Sequence, residues 1–251
     1  LTDTQPDTMD YLRKIYKDDL EDTIVSFINA ETTKVRGSLI EVLKHGIEIS
    51  NQKLELMYTK PATTFNQKAE ALYQQNVLSV MEEVWHKEGE RIDLVIFLNG
   101  IAIFTFELKC NTSGQNYEDA IRQYKFERDY KTRLLKFKAG CLAHFAMDLN
   151  EVYMCTNLKG KSSFFLPFNK GCGVGIHSGK GNPHNENGIN VSYMWEDILK
   201  KDTVLYLIDK IIFLQKETKK DPDTGKRVTK ETLIFPRYHQ FNAVRKLVAD
   251  V

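Results

Sequence analysis

The sequence predicts an α/β fold in which helices flank a mixed central sheet, and three observations carry this prediction. Apolar residues recur at helical spacing near both ends of the chain, whereas residues between 77 and 158 mostly alternate with the period of a strand. One helical stretch interrupts those strands, and this order of elements is typical of a mixed sheet. Asn99 and Gly100 stand between two apolar runs, which is the strongest short-range signal of a β-hairpin.

The composition is that of a globular protein. The chain has 251 residues, of which 42% are apolar and 27% are charged. Its 35 Lys and Arg residues against 34 Asp and Glu residues give a net charge of +1, which argues against a protein that coats nucleic acid or membranes by bulk electrostatics. No run approaches the roughly 18 apolar residues of a membrane-spanning helix. The four cysteines have no metal-binding spacing, which favours reduced thiols and a cytoplasmic location.

The N-terminal part of the chain is predicted to be mainly helical. Apolar positions over residues 7–45 follow helical spacing, and the stretch ends at His45-Gly46. Alternation at 47–49 and 54–58 then predicts a short hairpin, and residues 66–76 predict a further helix.

The middle of the chain is predicted to supply the sheet. The predicted strands cover residues 77–85, 91–98, 101–109, 141–147 and 151–157. A helix over residues 115–130 separates the third strand from the fourth. His144, in one of these apolar strands, is interpreted as a hydrogen-bonded core residue rather than a ligand.

A long loop precedes the C-terminal elements. Residues 160–188 hold seven of the 14 glycines, and a loop of this length inside a domain is usually functional or mobile. Residues 192–216 return to helical spacing. Residues 216–230, which include Asp221-Pro222, are interpreted as a solvated turn or linker.

Asp93, Glu107 and Lys109 form the candidate catalytic cluster. Side chains alternate along a strand, so Glu107 and Lys109 project together from the face opposite Phe104 and Phe106. Asp93 opens an otherwise apolar run, where a carboxylate is rarely accepted without a partner or a metal. Two carboxylates that bind Mg²⁺ and a lysine that orients the nucleophile suit the hydrolysis of a phosphodiester. Taken alone, such a spacing more often marks a solvated strand face.

The hairpin geometry adds a condition for shared metal binding. If a regular ladder followed the two turn residues, Asp93 would lie opposite Phe106 and would point away from Glu107. The two carboxylates can meet only if β-pairing contains one extra residue, either in a three-residue loop at 99–101 or in a β-bulge. The sequence therefore predicts such an irregularity.

Asp93 with Glu107-x-Lys109 resembles the PD-(D/E)xK motif of nucleases. Over roughly residues 47–240 the chain is similar to the N-terminal nuclease region of the restriction (R) subunit of type I restriction-modification enzymes. The resembling stretches are KAEALYQQN (68–76), IDLVIFLNG (92–100), ELK (107–109), DAIRQYKFERD (119–129), HFAMDLNEVYMCTNLKGK (144–161), FFLPFNKG (164–171), GNPHNENG (181–188) and YMWEDIL (193–199). The resemblance implies a restriction-endonuclease-like core with helical additions at both ends.

The resemblance also implies an activity and its partners. The family cleaves double-stranded DNA after ATP-dependent translocation, in a complex with methyltransferase and specificity subunits that recognise the sequence. We therefore expect Mg²⁺ as cofactor, a 3′ hydroxyl on the product, ATP only for the full-length subunit, and no membrane partner.

The resemblance assigns a role to each residue of this chain that matches a position of the family's motifs. Asp93 and Glu107 correspond to the metal-binding residues, and Lys109 completes the catalytic site. The family's Q-x-x-x-Y motif on the next helix assigns Gln123 a catalytic role, although Glu127 stands where that motif has its tyrosine. Glu70, on the helix before the first sheet strand, is a candidate further acidic ligand.

For Glu70, a plain helix-surface glutamate is the simpler interpretation.

Three segments are expected from the same resemblance: a helical extension (1–46), the nuclease domain with its Gly-rich loop (47–216), and a linker with the start of a superfamily 2 motor (217–251). FPRYHQ (235–240) resembles the entry to such a motor, in which the glutamine reads adenine. No G-x-x-x-x-G-K-[ST] phosphate loop occurs, so we expect the motor to lie beyond Val251.

Two alternatives stay open. The chain could be a stand-alone PD-(D/E)xK repair or phage-defence nuclease, or a catalytically degenerate module that docks the motor to the methyltransferase. The intact Asp93, Glu107 and Lys109 weigh against a degenerate module, and the missing motif tyrosine weighs for it.

Overall fold

Groups of helices and groups of strands follow one another in the computed structural model, which describes residues 1–35, 37–63, 65–172, 180–220, 225 and 227–249. The helices are α1 (Pro6–Tyr16), α2 (Leu20–Thr33), α3 (Leu39–His45), α4 (Gln67–Gln74), α5 (Tyr117–Phe126), α6 (Lys201–Tyr206) and α7 (Tyr238–Ala249). The strands are β1 (Ile47–Ile49), β2 (Gln52–Leu54), β3 (Leu78–Lys87), β4 (Glu90–Leu98), β5 (Ile101–Leu108), β6 (Ala143–Met147), β7 (Val152–Cys155), β8 (Leu166–Pro167), β9 (Phe213–Lys220) and β10 (Arg227–Ile234). Among the described helices, none is long and apolar enough to cross a membrane.

A six-stranded mixed sheet forms the centre of the structure, in the order β3-β4-β5-β6-β7-β8. β5 and β6 run parallel, and the other neighbours are antiparallel. Parallel neighbours need a crossover connection, and α5 lies in the connection between β5 and β6. The predicted α/β fold with a mixed central sheet is confirmed.

The two faces of β5 pack against different layers because its side chains alternate. Phe104 and Phe106 are buried in the main hydrophobic core, together with Met194 and other residues that follow position 190. Thr105, between the two phenylalanines, faces α5 and its hydroxyl lies 2.8 Å from that of Tyr124. Helical layers therefore cover both faces at the strand that carries Glu107.

The N-terminal helices form a second hydrophobic cluster with the β1–β2 hairpin. Its buried members are Met9, Leu12, Leu20, Ile24, Ile28, Val42, Ile47, Ile49, Leu54 and Leu56. α3 also reaches the main core through Leu39, Ile40 and Leu43. The helices and the hairpin predicted for this part of the chain are confirmed, although the second strand of the hairpin is Gln52–Leu54 and not residues 54–58. The limit of an extension at residue 46 stays a prediction.

The C-terminal part differs from the predicted secondary structure. Residues 192–216 contain short π-helical turns (Met194–Ile198 and Leu207–Ile211) around α6, and β9 begins at Phe213. β9 and β10 form an antiparallel hairpin across the segment predicted as a turn or linker. The alternation rule missed this hairpin because most of β9 beyond its first residues is polar and exposed.

Residues beyond the β9–β10 hairpin rejoin the main core. Leu233, Phe235 and Phe241 are buried there, and the ring of Phe235 packs edge-on against that of Phe104. The predicted division of the chain at residue 217 and the motor-entry role of 235–240 stay predictions. Strand β8 lies within the predicted Gly-rich loop, which is therefore not all loop. Residues 173–179 of that loop and residues 221–224 and 226 of the predicted turn lie outside the described residues.

Candidate active site

The β4–β5 hairpin turns tightly at Asn99 and Gly100. Both have positive φ angles, 50° and 83°, as a type I′ turn requires. The Asn99 side chain accepts a hydrogen bond from the backbone N–H of Val77 at 2.7 Å and donates to the carbonyl of Leu56 at 2.9 Å. These bonds fix the turn to the preceding segments of the chain.

A β-bulge at Ile103 then changes the register of the hairpin. Leu98 pairs with Ile101 next to the turn, whereas Ile96 pairs with Phe104 further along. β5 therefore contains one residue more than β4 over this interval, and Ile103 is the residue without a partner. The predicted irregularity is confirmed as a bulge rather than a three-residue loop.

The bulge brings the two candidate carboxylates into register. Leu94 pairs with Phe106, so the next position along the ladder sets Asp93 opposite Glu107. Opposed residues share a face of the sheet. Without the bulge, the two side chains would point to opposite faces.

Asp93 and Lys109 meet where β4 begins and β5 ends. Oδ2 of Asp93 accepts a hydrogen bond from the backbone N–H of Leu108 at 2.8 Å. Nζ of Lys109 lies 3.9 Å from the same oxygen. The Asp93 side chain is 32% exposed and that of Lys109 is 12% exposed, so this end of the cluster borders solvent.

Glu107 is the buried member of the cluster. Its side chain is 0% exposed, and Oε1 accepts a hydrogen bond from Nε of Arg128 at 2.7 Å. Oε2 is also buried and has no hydrogen-bond partner. Burial raises the pKa of Glu107 to about 7, against the hydrogen bond from Arg128, and the charge of Asp93 adds to the rise.

Helix α5 is fixed to the sheet by a buried polar contact beside the cluster. The Thr105 hydroxyl lies 2.8 Å from the hydroxyl of Tyr124 and 2.8 Å from Nδ1 of His144. Burial lowers the pKa of His144 to about 3, so the ring is neutral. His144 is thus the hydrogen-bonded core residue predicted from the sequence, and the Tyr124 hydroxyl is engaged in holding α5.

Gln123 precedes Tyr124 on α5. Its Oε1 is buried and has no hydrogen-bond partner. Within the described part of the chain, no hydrogen bond joins the Gln123 side chain to Asp93, Glu107 or Lys109. Its catalytic role stays a prediction.

Glu70, the candidate further ligand, lies on α4. Its Oε1 accepts a hydrogen bond from the Gln74 side chain at 2.7 Å, as neighbours one helical turn apart commonly do. No described contact joins Glu70 to Asp93 or Glu107. These contacts are those of a helix-surface glutamate.

Arg128 is the residue of this site that the sequence analysis missed. The predicted helix ran to residue 130 and would set Arg128 four residues after Tyr124, in line with its apolar stripe, but α5 ends at Phe126. Arg128 lies in the turn that follows, with its side chain 9% exposed against Glu107. The signal that could have found this pairing is a positive charge in line with the apolar stripe of the predicted helix, where a charged side chain is rarely buried unless it is paired.

The oxygen atoms of the site suit a hard divalent cation. Oε2 of Glu107 is a buried acceptor without a hydrogen-bond donor, and Mg²⁺ prefers oxygen ligands. Among the described residues, no three or more His, Cys, Asp or Glu side chains are grouped so as to hold a metal. A cation here would therefore rely on Asp93 and Glu107 together with other oxygens, such as those of water and phosphate.

Comparison with known proteins assigns the family. The family model described as "Type I restriction enzyme R protein N terminus" matches residues 4–163, which include all four predicted site residues. The chain is also 27% identical over 186 residues to the "Putative type I restriction enzyme MjaVIIIP endonuclease subunit" of Methanocaldococcus jannaschii. That alignment covers 69% of this chain and 15% of the relative's length. The resemblance seen in the sequence is confirmed, and the chain belongs to the family of type I restriction enzyme R protein N termini.

Proposed function

We propose that this chain is the Mg²⁺-dependent endonuclease module of a type I restriction enzyme R subunit, with a PD-(D/E)xK site. The observation that supports this most is the hairpin register, which sets Asp93 opposite Glu107 at the strand end where Lys109 meets Asp93. Two carboxylates and a lysine on neighbouring rigid strands suit the hydrolysis of a phosphodiester.

Each side chain has a distinct task in this proposal. Asp93 and Glu107 hold Mg²⁺, and Oε2 of Glu107 is the oxygen that Arg128 leaves free. When bound, Mg²⁺ supplies a water of lowered pKa and stabilises negative charge on the phosphate. The Lys109 ammonium orients the attacking water or neutralises charge that develops on the phosphate.

The products follow from the bond that breaks. The oxygen of the attacking water forms a bond to phosphorus, and the bond from phosphorus to the 3′ oxygen breaks. The leaving oxygen takes up a proton, which gives a 3′ hydroxyl and a 5′ phosphate. Gln123 is proposed as an additional catalytic group, since its buried Oε1 lacks a partner.

The substrate and partners are proposed from the family. Double-stranded DNA is the substrate, and the methyltransferase and specificity subunits supply sequence recognition in the cytoplasm. The matched relative is described as an endonuclease subunit, and the aligned part is 15% of its length. ATP-driven translocation is therefore proposed for the full-length subunit and not for the residues of this chain.

One observation favours a second candidate, the catalytically degenerate docking module. Arg128 already supplies a positive charge to Glu107, as would suit a site that has lost its metal. Against this, Arg128 bonds one carboxylate oxygen and leaves the other buried without a partner. A docking module has no use for that free acceptor.

The test compares DNA cleavage and ATP hydrolysis by wild-type and Lys109→Ala R subunits, each full-length and assembled with its methyltransferase and specificity subunits. Lys109→Ala should abolish DNA cleavage while ATP hydrolysis stays at the wild-type rate, since translocation does not use Lys109. Wild-type cleavage by the Lys109→Ala complex would end the assignment. Lys14→Ala, a change at an exposed lysine of α1, is the matched control and should cleave normally.

A further inference from the structure

Arg128 is a buried cation bound to one of the residues proposed to hold the metal. Its Nε donates to Oε1 of Glu107 at 2.7 Å, and the two side chains are 9% and 0% exposed. The second carboxylate oxygen, Oε2, is buried without a partner. The carboxylate is therefore bonded through one oxygen and free at the other.

The turn that carries Arg128 is fixed by contacts of the next residue. The backbone N–H of Asp129 donates to Oε2 of Glu90 at 2.7 Å, and the Asp129 carboxylate pairs with Lys87 at 3.1 Å. Lys87 also lies 3.2 Å from Oε1 of Glu90. Because these contacts hold the adjacent backbone on the β3–β4 turn, the guanidinium reaches Glu107 from a defined position.

We propose that Arg128 is a positioning residue that holds Oε1 of Glu107, so that Glu107 offers a single oxygen, Oε2, to the divalent cation. This inference rests on the proposed function. It adds a determinant of metal selectivity that lies outside the Asp93, Glu107 and Lys109 cluster.

The number of oxygens that Glu107 offers affects which cation fits. Mg²⁺ demands near-octahedral geometry and is served by single carboxylate oxygens, whereas Ca²⁺ accepts six to eight ligands and commonly takes both oxygens of a carboxylate. By occupying Oε1, Arg128 favours Mg²⁺ over Ca²⁺. Without the guanidinium, the carboxylate is free to turn and offer both oxygens.

The test measures Mg²⁺ and Ca²⁺ affinities of the whole chain by titration calorimetry. Arg128→Met keeps the length of the side chain and removes its donors. We expect it to lower the ratio of Mg²⁺ affinity to Ca²⁺ affinity by about tenfold or more, the scale of effect typical of groups that orient a metal ligand. If the ion pair has only a structural role, its loss in Arg128→Met should lower the melting temperature and leave this affinity ratio unchanged.

Two further variants keep the inference falsifiable. Arg128→Lys retains a positive charge and a donor beside Glu107, so it should fold and give a ratio between those of the wild type and Arg128→Met. Arg245→Met removes another arginine–carboxylate pair, to Asp197 at 2.6 Å and 3.0 Å, and should leave the ratio unchanged. If Arg128→Met does not fold, Arg128→Lys carries the test.

The outcomes separate this inference from the proposed function. A ratio within about twofold of the wild-type value in every folded Arg128 variant would overturn the positioning role. If the wild type binds no Mg²⁺, or if Asp93→Asn binds it equally well, the proposed metal site fails and the positioning role fails with it. Binding that is lost in Asp93→Asn, with a shifted ratio in the Arg128 variants, supports both.

Discussion

Nζ of Lys109 lies 3.9 Å from Oδ2 of Asp93, and the same carboxylate oxygen accepts the backbone N–H of Leu108. The start of β4 is thereby tied to the end of β5 at the point where Glu107 is buried. Groups held by neighbouring strands are positioned more accurately than groups on loops. The cluster is therefore a rigid arrangement of two carboxylates and one cation.

The charge of Asp93 is predicted to be essential for metal binding but not for folding. Asp93→Asn keeps an oxygen that can accept the Leu108 N–H and removes the negative charge. We expect the Mg²⁺ affinity measured by calorimetry to fall by more than about tenfold, with the melting temperature unchanged. The control is Asp22→Asn on α2, an exposed aspartate, which should bind like the wild type. Equal Mg²⁺ binding by Asp93→Asn would remove Asp93 from the site.

Lys109 is predicted to serve the reaction and not the metal. Its ammonium repels a cation bound by Asp93, so Lys109→Met should raise the Mg²⁺ affinity by roughly two- to tenfold, as expected for one partly screened charge. The same change should abolish DNA cleavage by the assembled complex. Calorimetry measures the Mg²⁺ affinity, and a plasmid-cleavage assay measures the loss of activity. If Lys109→Met loses Mg²⁺ binding, Lys109 supports the metal site instead.

Glu107 is predicted to make the metal-free protein less stable as the pH rises. Burial raises its folded-state pKa from 4.5 to about 7, so between these values the folded protein binds more protons than the unfolded chain. The stabilisation is full below pH 4.5 and is lost as the pH rises through about 7.

Glu107→Gln removes this titration, and unfolding by urea in the presence of a chelator measures the effect. From about pH 5 to about pH 8, the wild type should lose on the order of 2 kcal/mol of unfolding free energy relative to Glu107→Gln. Parallel stability curves for the two proteins would show that Glu107 titrates normally.

The contact of Thr105 with Tyr124 and His144 is predicted to stabilise the fold. Thr105→Val has the same shape but leaves the Tyr124 hydroxyl and Nδ1 of His144 buried without this partner. We expect a loss of about 1–3 kcal/mol of unfolding free energy in urea. The control is Thr218→Val, at an exposed hydroxyl pair on the β9–β10 hairpin, with an expected change within about 0.5 kcal/mol. Equal effects of the two changes would contradict a stabilising role for the buried contact.

The sequence was sufficient to predict the first five strands of the central sheet and the cluster, because each rests on local chemistry, whereas the two-residue strand β8 lies in the segment predicted as a loop. Alternating side chains and the Asn99-Gly100 turn predict the hairpin, and the need for Asp93 and Glu107 to share a face predicts one extra residue. That residue is Ile103, which is buried in the main core together with Phe104 and Phe106. Local pattern could not choose between a loop and a bulge.

Two features were not predictable because tertiary contacts decide them. Arg128 contacts Glu107 from the turn that follows α5, which ends at Phe126, and helix ends are poorly defined by periodicity. The β9–β10 hairpin is charged and exposed along most of its length, so it lacks the apolar alternation that identifies a strand. The sequence pattern of the hairpin is that of a solvated surface.

The most direct test of the metal site is an anomalous difference map from crystals of this chain soaked in Mn²⁺, a stand-in for Mg²⁺. The proposed site predicts one peak within about 2.5 Å of a carboxylate oxygen of Asp93 and of Oε2 of Glu107. Arg128 should remain hydrogen-bonded to Oε1 of Glu107 in the same crystal. An empty map at these oxygens, with Mn²⁺ at saturating concentration, would contradict the proposed nuclease site.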